Sequence, residues 1–183
     1  VRFVTALPCH PEEPGSEAYG RHEGWLAGPP RRDTTIIDVG TGSGCIGITL
    51  ALEFPNLEVI CTDISEEALT VAKENAHCHG VLDRVAFLNA NALDRVTTHS
   101  QLLTTHFLVV SNPPYIPEGD AAHPFRAPPL PPDVLLFEPR EALFGGPDGM
   151  DILRKLYTQC RSHPRCFGCV LECREEQAKK LTS

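Results

Sequence analysis

The sequence has 183 residues, 42% of them hydrophobic, which suits one domain with a substantial core better than two. Its formal net charge of −8 disfavours a protein that binds mainly to a phosphate backbone, because such binding needs an excess of Lys and Arg. No apolar run approaches the ~18 residues of a membrane span, and residues 1–30 lack the apolar centre of a signal peptide. We therefore expect a soluble, cytoplasmic protein.

The eight cysteines raise the alternatives of disulfides or zinc. Cys166 and Cys169 have the spacing of half a zinc site, but a second well-spaced pair is missing and the segment resembles a strand. We predict no metal. The remaining singly spaced cysteines are interpreted as reduced, buried, small hydrophobes, namely Cys9, Cys45, Cys61 and Cys78.

The N-terminal residues 1–32 show neither helical nor strand periodicity and are rich in Pro, Gly and charge. We predict an irregular arm there and a single domain over residues 33–183. A buried strand at Thr35–Val39, a turn of glycines and a helix at Cys45–Glu53 then open a βαβ unit.

The following elements continue the alternation of strands and helices. A second strand is predicted at Leu57–Thr62, and Ser65 is placed to cap a helix that ends at Gly80. Further strands are predicted at Val85–Leu88 and Phe107–Ser111. The alternation predicts an α/β fold with a mostly parallel sheet and helices on both faces.

The last third begins with the proline-rich residues 117–133, predicted to be an extended loop over the carboxyl edge of the sheet. A helix is predicted at Asp151–Cys160, with Ile152, Leu153 and Leu156 facing inward. Residues Cys166–Cys173 are predicted to form a fifth strand, followed by a charged tail.

The glycine turn carries two overlapping motifs. Gly42–Gly47 satisfies G-x-G-x-x-G, and Asp63 lies where a ribose-binding carboxylate belongs, which alone would indicate NAD. However, Asp38 stands two residues before Gly40, where a pyrophosphate would have to approach. A carboxylate there favours a cationic ligand, such as the amino acid end of S-adenosylmethionine.

The fourth predicted strand ends in Asn112-Pro113-Pro114-Tyr115, which we call the NPPY loop. Because neither proline has a backbone N–H, this loop offers hydrogen-bond acceptors with few competing donors. It therefore suits a ligand group that donates hydrogen bonds, such as an NH₂ group.

With DVGTGSG, Asp63 and SNPPY in this order, the sequence resembles the class I S-adenosylmethionine-dependent methyltransferases that modify planar NH₂ groups. FEPREALFGGPDGMDILRKLY, residues 137–157, is similar to the segment after the NPPY loop in the HemK/PrmC family of protein-(glutamine-N5) methyltransferases. The resemblance covers about residues 34–172. It implies a Rossmann-like fold, S-adenosylmethionine as cofactor and the GGQ glutamine of a peptide chain release factor as methyl acceptor.

The resemblance also implies roles for individual residues. The cofactor is expected to contact Asp38, Gly40, Thr41, Gly42, Ser43, Gly44, Asp63, Asn91, Ala92 and Asn112. The substrate is expected to contact Asn112, Pro113, Pro114 and Tyr115, with Asn112, Pro113 and Tyr115 as catalytic residues. The Asn112 side chain and the Pro113 carbonyl would each accept one amide N–H, while the Tyr115 ring packs on the flat amide. Asn91 replaces the family's adenine-binding carboxylate, so cofactor affinity is expected to be weaker.

Two differences from the family lead us to expect truncation at both ends. Neither an N-terminal helical domain nor the terminal antiparallel strand pair is visible, so the fifth strand should be an exposed edge. Two other functions stay open: an adenine-N6 methyltransferase acting on nucleic acid, which would also use an NPPY loop, and an inactive partner-binding remnant.

Overall fold

The computed structural model describes residues 3–8, 34–94, 96, 105–119 and 132–182, which contain one six-stranded sheet. The strands are β1 (Phe3–Pro8), β2 (Thr34–Val39), β3 (Glu58–Asp63), β4 (Val85–Asn89), β5 (His106–Ser111) and β6 (Cys166–Cys173). The helices are α1 (Cys45–Glu53), α2 (Glu66–Cys78), α3 (Pro132–Phe137), α4 (Arg140–Leu143), α5 (Asp151–Ser162) and α6 (Glu175–Thr182).

The sheet is built around β2, in which all six residues are buried. The strand order is β1-β6-β5-β2-β3-β4, and all neighbours are parallel except β1 and β6. Ile37 stands in register with Ile60 of β3 and Val109 of β5. Five parallel strands, with helices in the connections β2–β3, β3–β4 and β5–β6, are the class I, Rossmann-like arrangement that the sequence predicts.

Helices cover both faces of the sheet because successive strand residues point to opposite sides. Ile36 packs with Ile48 of α1 and Ala76 of α2 on one face. Ile37 packs with Leu153 of α5 on the other face, where Ala178 of α6 joins the same core. The two-sided burial explains why the central strands are nearly continuous hydrophobic runs.

Several predicted elements are confirmed. Helix α1 has the predicted bounds, and the Ser65 side chain accepts a hydrogen bond from the Ala68 N–H at 3.1 Å, which caps α2. The α5 helix and the strand β6 lie where the sequence places them. Leu153 and Leu156 are buried as predicted, whereas Ile152 is half-buried.

The predicted irregular arm is wrong for residues 3–8. These residues form β1, which pairs antiparallel with β6 from Phe3↔Cys173 to Pro8↔Gly168. The expected exposed edge of the fifth parallel strand is wrong for the same reason, because β1 occupies it. The rest of the predicted arm, residues 9–33, lies outside the described residues.

Two other predictions need correction. The predicted charged tail forms the helix α6, whose first turn carries Glu175 and Glu176 and whose last turn carries Lys179 and Lys180, an arrangement that suits the helix dipole. The predicted extended loop includes the start of α3, since proline is tolerated in the first helical turn. Its central residues, 120–131, lie outside the described residues.

None of the described helices is long and apolar enough to cross a membrane. The described residues also contain no group of three or more His, Cys, Asp or Glu side chains placed to hold a metal ion. Cys166, Cys169 and Cys173 are buried and free of disulfides, and Cys61 is buried as predicted. The predicted burial of Cys45 and Cys78 is wrong, because both lie on helices and are exposed.

Candidate active site

The glycine turn after β2 divides into two pairs of glycines. Gly40 and Gly42 have positive φ angles of 67° and 57°, and a Cβ on either would meet no atom within 4 Å. In contrast, a Cβ on Gly44 would press on Ile48, and one on Gly47 would meet Cys61. The first pair thus leaves open space at the carboxyl end of β2, while the second pair allows α1 to pack closely.

Asp38 lies buried beneath this turn. One carboxylate oxygen, Oδ2, accepts hydrogen bonds from the Thr41 hydroxyl at 2.6 Å and the Gly47 N–H at 2.9 Å. The other, Oδ1, is buried without a partner among the described residues. Burial raises the pKa of Asp38, and the hydrogen bonds from Thr41 and Gly47 oppose that rise. A buried acceptor without a partner is a place where a donor from a ligand would be favourable.

Asp63 joins the glycine turn to the end of β3. Its Oδ2 accepts a hydrogen bond from the Gly42 N–H and its Oδ1 accepts one from the Ser65 N–H, both at 2.9 Å. The carboxylate is half-buried and each oxygen retains a further lone pair. It can therefore accept two hydroxyl groups while it keeps its backbone contacts. The next residue, Ile64, is 66% exposed and offers an apolar surface beside the carboxylate.

The loop after β4 is held by α5. Lys155 Nζ donates to the Asn91 Oδ1 at 3.0 Å and to Asp94 at 2.7 Å, and Gln159 bonds both Asp94 and the Leu93 N–H. The pair with Lys155 lowers the pKa of Asp94. Within this loop, Ala92 has a positive φ of 57°.

These contacts orient the Asn91 side chain. Its oxygen accepts a hydrogen bond from the Lys155 ammonium group, which leaves one lone pair on the oxygen and the Nδ2 donors available. The Nδ2 group suits a ring nitrogen of adenine, and the remaining lone pair suits the exocyclic amino group.

The NPPY loop leaves β5 beside the glycine turn. Ser111, the last residue of β5, donates its hydroxyl to the Val39 carbonyl at 2.6 Å, which ties the ends of β5 and β2 together. Asn112 is exposed and Pro113 is buried. Among the described residues, none donates a hydrogen bond to the Asn112 side chain or to the Pro113 carbonyl, so neither acceptor is already used there.

Tyr115 is anchored at both ends. Its hydroxyl donates to Glu172 of β6 at 3.1 Å, and its backbone carbonyl accepts a hydrogen bond from the Gln177 side chain at 2.8 Å. Its ring packs against the main core cluster. The ring is therefore fixed in place, with part of its surface used by the core.

The NPPY loop lies against residues 145–149, which we call the GGPDG turn. The Ile116 N–H donates to the Leu143 carbonyl, and the Gly145 N–H donates to the Ile116 carbonyl, both at 3.0 Å. A Cβ on Gly145 would overlap the Pro114 carbonyl, and one on Gly149 would overlap the Tyr115 carbonyl. Both glycines thus permit the close approach of these two segments.

The structure brings the predicted cofactor and substrate residues to the carboxyl edge of the parallel strands, where open α/β sheets bind ligands. Thr41 and Gly44 have structural contacts at this edge. The Thr41 hydroxyl donates its hydrogen bond to Asp38, and Gly44 allows close packing against Ile48. Ser43 is exposed, and its carbonyl accepts a hydrogen bond from Asn75. Sequence reasoning missed five further residues, namely Ile64, Lys155, Gln159, Glu172 and Gln177. Only Ile64 had a local signal, since it follows the ribose-binding candidate directly.

Comparisons with known proteins agree with this geometry. A family model described as a methyltransferase domain matches residues 30–119. A release factor glutamine methyltransferase of Chlorobaculum tepidum is 44% identical over 123 residues, which are 67% of this chain and 39% of that protein. The protein of the same name from Cereibacter sphaeroides is 37% identical over 159 residues, covering 87% of this chain and 52% of that protein.

Among solved structures, TrmK of M. capricolum, in complex with S-adenosyl-homocysteine, is 22% identical with a TM-score of 0.39. The match covers 43% of this chain and 34% of that one. The present chain spans about two fifths to one half of the length of the two curated relatives.

Proposed function

Because the chain belongs to the HemK/PrmC family of methyltransferases, we propose that it methylates a glutamine side chain of a protein. The methyl group would pass from S-adenosylmethionine to the amide nitrogen of the glutamine in the GGQ motif of a peptide chain release factor. The observation that carries this proposal is the exposed Asn112 at the carboxyl end of β5, tied through Ser111 to the strand that enters the glycine turn.

The residues at the glycine turn fit the cofactor. Gly40 and Gly42 leave open space, Asp63 has free lone pairs for two ribose hydroxyls, and Asp38 offers a buried acceptor. The exposed Ile64 side chain offers an apolar surface for the adenine ring. When bound, S-adenosylmethionine supplies an electrophilic methyl group on a sulfonium.

The NPPY loop would orient the acceptor nitrogen. An amide nitrogen is a weak nucleophile because its lone pair is delocalised into the carbonyl, so the nitrogen must be held in a productive orientation. Asn112 Oδ1 and the Pro113 carbonyl would each accept one N–H of the substrate amide and direct its lone pair towards the donor side. No general base is needed in the loop, since the nitrogen loses a proton readily once it carries the methyl group.

The partner and the location follow from this substrate. A release factor works where translation terminates, so we place the protein in the cytoplasm, or in an organelle that has its own translation. The described cysteines form no disulfides, which accords with a reducing compartment. The net charge of −8 counts against a nucleic acid as direct substrate.

Mass spectrometry of a release factor incubated with the protein and S-adenosylmethionine tests the proposal. We expect a gain of one methyl group on the GGQ glutamine, and none on a matched release factor in which that glutamine is replaced by glutamate. Adenine-containing DNA serves as the competing substrate. Methyl transfer to DNA, or to neither substrate despite cofactor binding, would contradict the proposal.

A further inference from the structure

Gln177 is a buried polar side chain that joins three segments of the chain. It lies in the first turn of α6 and is 2% exposed. Its Oε1 accepts a hydrogen bond from the Arg174 N–H at 2.9 Å. Its Nε2 donates to the Tyr115 carbonyl at 2.8 Å and to the Gly149 carbonyl at 3.0 Å. Both amide protons are therefore used, one on each loop.

The two loops that Gln177 joins are the NPPY loop and the GGPDG turn. Gly149 has a φ of 72°, and its Cα faces the Tyr115 carbonyl so closely that no Cβ would fit. The two carbonyls that approach each other here both need a donor, and Gln177 supplies both. Without Gln177, the half-buried Tyr115 carbonyl and the buried Gly149 carbonyl would each lose one hydrogen-bond donor.

We propose that Gln177 is a positioning residue that fixes the NPPY loop for methyl transfer; this inference rests on the proposed function. Gln177 holds the backbone of Tyr115, and Glu172 holds the Tyr115 hydroxyl. Because Pro113 and Pro114 have fixed φ angles, the chain between Tyr115 and Asn112 has little freedom. The position of the Tyr115 carbonyl therefore sets the position of the two acceptors that precede it.

The side chain must be an amide for this role. A methionine has a similar length but no donor, so both carbonyls would lose a hydrogen bond. A glutamate has the same shape, but an ionised carboxylate would place a negative oxygen against two carbonyls. A protonated glutamate regains one of the two donors, so Gln177→Glu makes the effect of this residue dependent on pH.

The test compares Gln177→Met and Gln177→Glu with the parent protein and with Glu175→Gln as a control. Glu175 lies on the same helix, and its side chain accepts a hydrogen bond at the surface from Lys179 at 2.7 Å, its one partner among the described residues. Three quantities are measured: the dissociation constant of S-adenosylmethionine, kcat for a release factor at saturating cofactor, and hydrogen exchange of the Ile116 and Gly145 amides.

We expect both Gln177 variants to lower kcat by roughly 10-fold or more, while the cofactor dissociation constant changes by less than about 2-fold. Exchange of the Ile116 and Gly145 amides should become faster by roughly 10-fold, with β2 and β3 amides unchanged. The kcat of Gln177→Glu, relative to the parent, should rise as the pH falls. The Glu175→Gln control should match the parent throughout.

Parent values of kcat and loop exchange in a folded Gln177→Met would overturn the inference, as would faster exchange spread evenly over the sheet. If Gln177→Met does not fold, the isosteric Gln177→Glu decides by the same measurements. A parent protein that methylates no release factor contradicts the proposed function instead, and the exchange of the loop amides then still tests whether Gln177 holds the loop.

Discussion

The two halves of the candidate site are built in different ways. The cofactor half is assembled mainly from one continuous βαβ unit. In this unit the Asp63 carboxylate accepts a hydrogen bond from the Gly42 N–H, and the Asp38 carboxylate accepts one from the Gly47 N–H. The acceptor half is assembled from three distant segments: the NPPY loop, the GGPDG turn and the start of α6. Backbone carbonyls and a buried glutamine hold these segments together.

Because of this difference, substitutions in the two halves should have different effects. In the cofactor half the groups proposed to contact the ligand are side chains and glycines. Single substitutions there should therefore change ligand binding and leave the rest of the fold intact. In the acceptor half the positions of the groups depend on contacts between segments, so substitutions should change the rate of methyl transfer more than affinity. The following predictions test this division.

The largest effect is expected for Gly42→Val, which should abolish S-adenosylmethionine binding. A Cβ at this position enters the open space above the turn, and a β-branched residue resists the positive φ. Isothermal titration calorimetry measures the loss. Gly80→Val is the matched control, because Gly80 has a similar φ of 69° and open space but lies at the end of α2. If Gly42→Val bound S-adenosylmethionine as tightly as Gly80→Val does, Gly42 would serve only to form the turn.

Asn112→Ala should lower the methyl transfer rate by ~10²-fold or more and leave cofactor affinity nearly unchanged. The reason is that, under the proposed function, Asn112 would accept a hydrogen bond from the substrate amide, and its side chain bonds no other residue in the described part of the chain. Single-turnover kinetics with a release factor measure the rate, and Asn56→Ala, at an exposed turn remote from the site, is the control. A parent rate in folded Asn112→Ala would rule out the acceptor role of this residue.

Asp63→Ala should weaken S-adenosylmethionine binding by about 1.5–3 kcal/mol, because it removes a charged acceptor from the ribose hydroxyls. The variant also frees the Gly42 and Ser65 N–H groups, so part of the loss reflects a looser turn. Asp63→Asn retains one acceptor oxygen and should lie between the parent and the alanine variant. Unchanged affinity in both variants would contradict the assignment of Asp63.

The smallest effect concerns Asp38 and pH. Burial raises the pKa of Asp38 above its usual value of 3.8, so the folded state holds this proton more tightly than the unfolded state does. The stability from this group is therefore fully present below pH 3.8 and is lost as the pH rises through the folded pKa. Asp38→Asn has no carboxyl group to ionise, so its free energy of unfolding should not show this decrease as the pH rises. Urea unfolding of the parent and the variant at a series of pH values measures the difference in unfolding free energy. A difference in unfolding free energy that does not grow with pH would contradict the shift.

The cofactor half was largely predictable because its signals are local. Gly44 stands directly before α1, Pro55 follows shortly after its end, and Ser65 caps α2, so each signal lies within a short stretch of sequence. The contact between Asn91 and Lys155 could not be predicted, because it joins residues that lie far apart in the sequence and on different elements. The assignment of individual residues to cofactor and substrate stays a prediction.

In the acceptor half, the sequence predicts the NPPY loop but not the residues that hold this loop in place. The NPPY letters alone indicate an acceptor loop, yet nothing local marks Gln177 as buried, since it stands among Glu, Arg and Lys in a segment interpreted as a tail. Strand β1 was missed for a similar reason: its pairing partner is β6, far along the chain, and no local periodicity reports such a contact.

The pairing of β1 with β6 also has a consequence for the order of folding. Phe3 stands opposite Cys173, so this ladder closes a loop that contains nearly every other described element. Closing so long a loop carries a large entropic cost unless the intervening chain has already condensed. The parallel strands β2 to β6 should therefore form first, and β1 should add last. During synthesis on the ribosome, β1 would be made before β6 and would wait for its pairing partner until β6 had emerged.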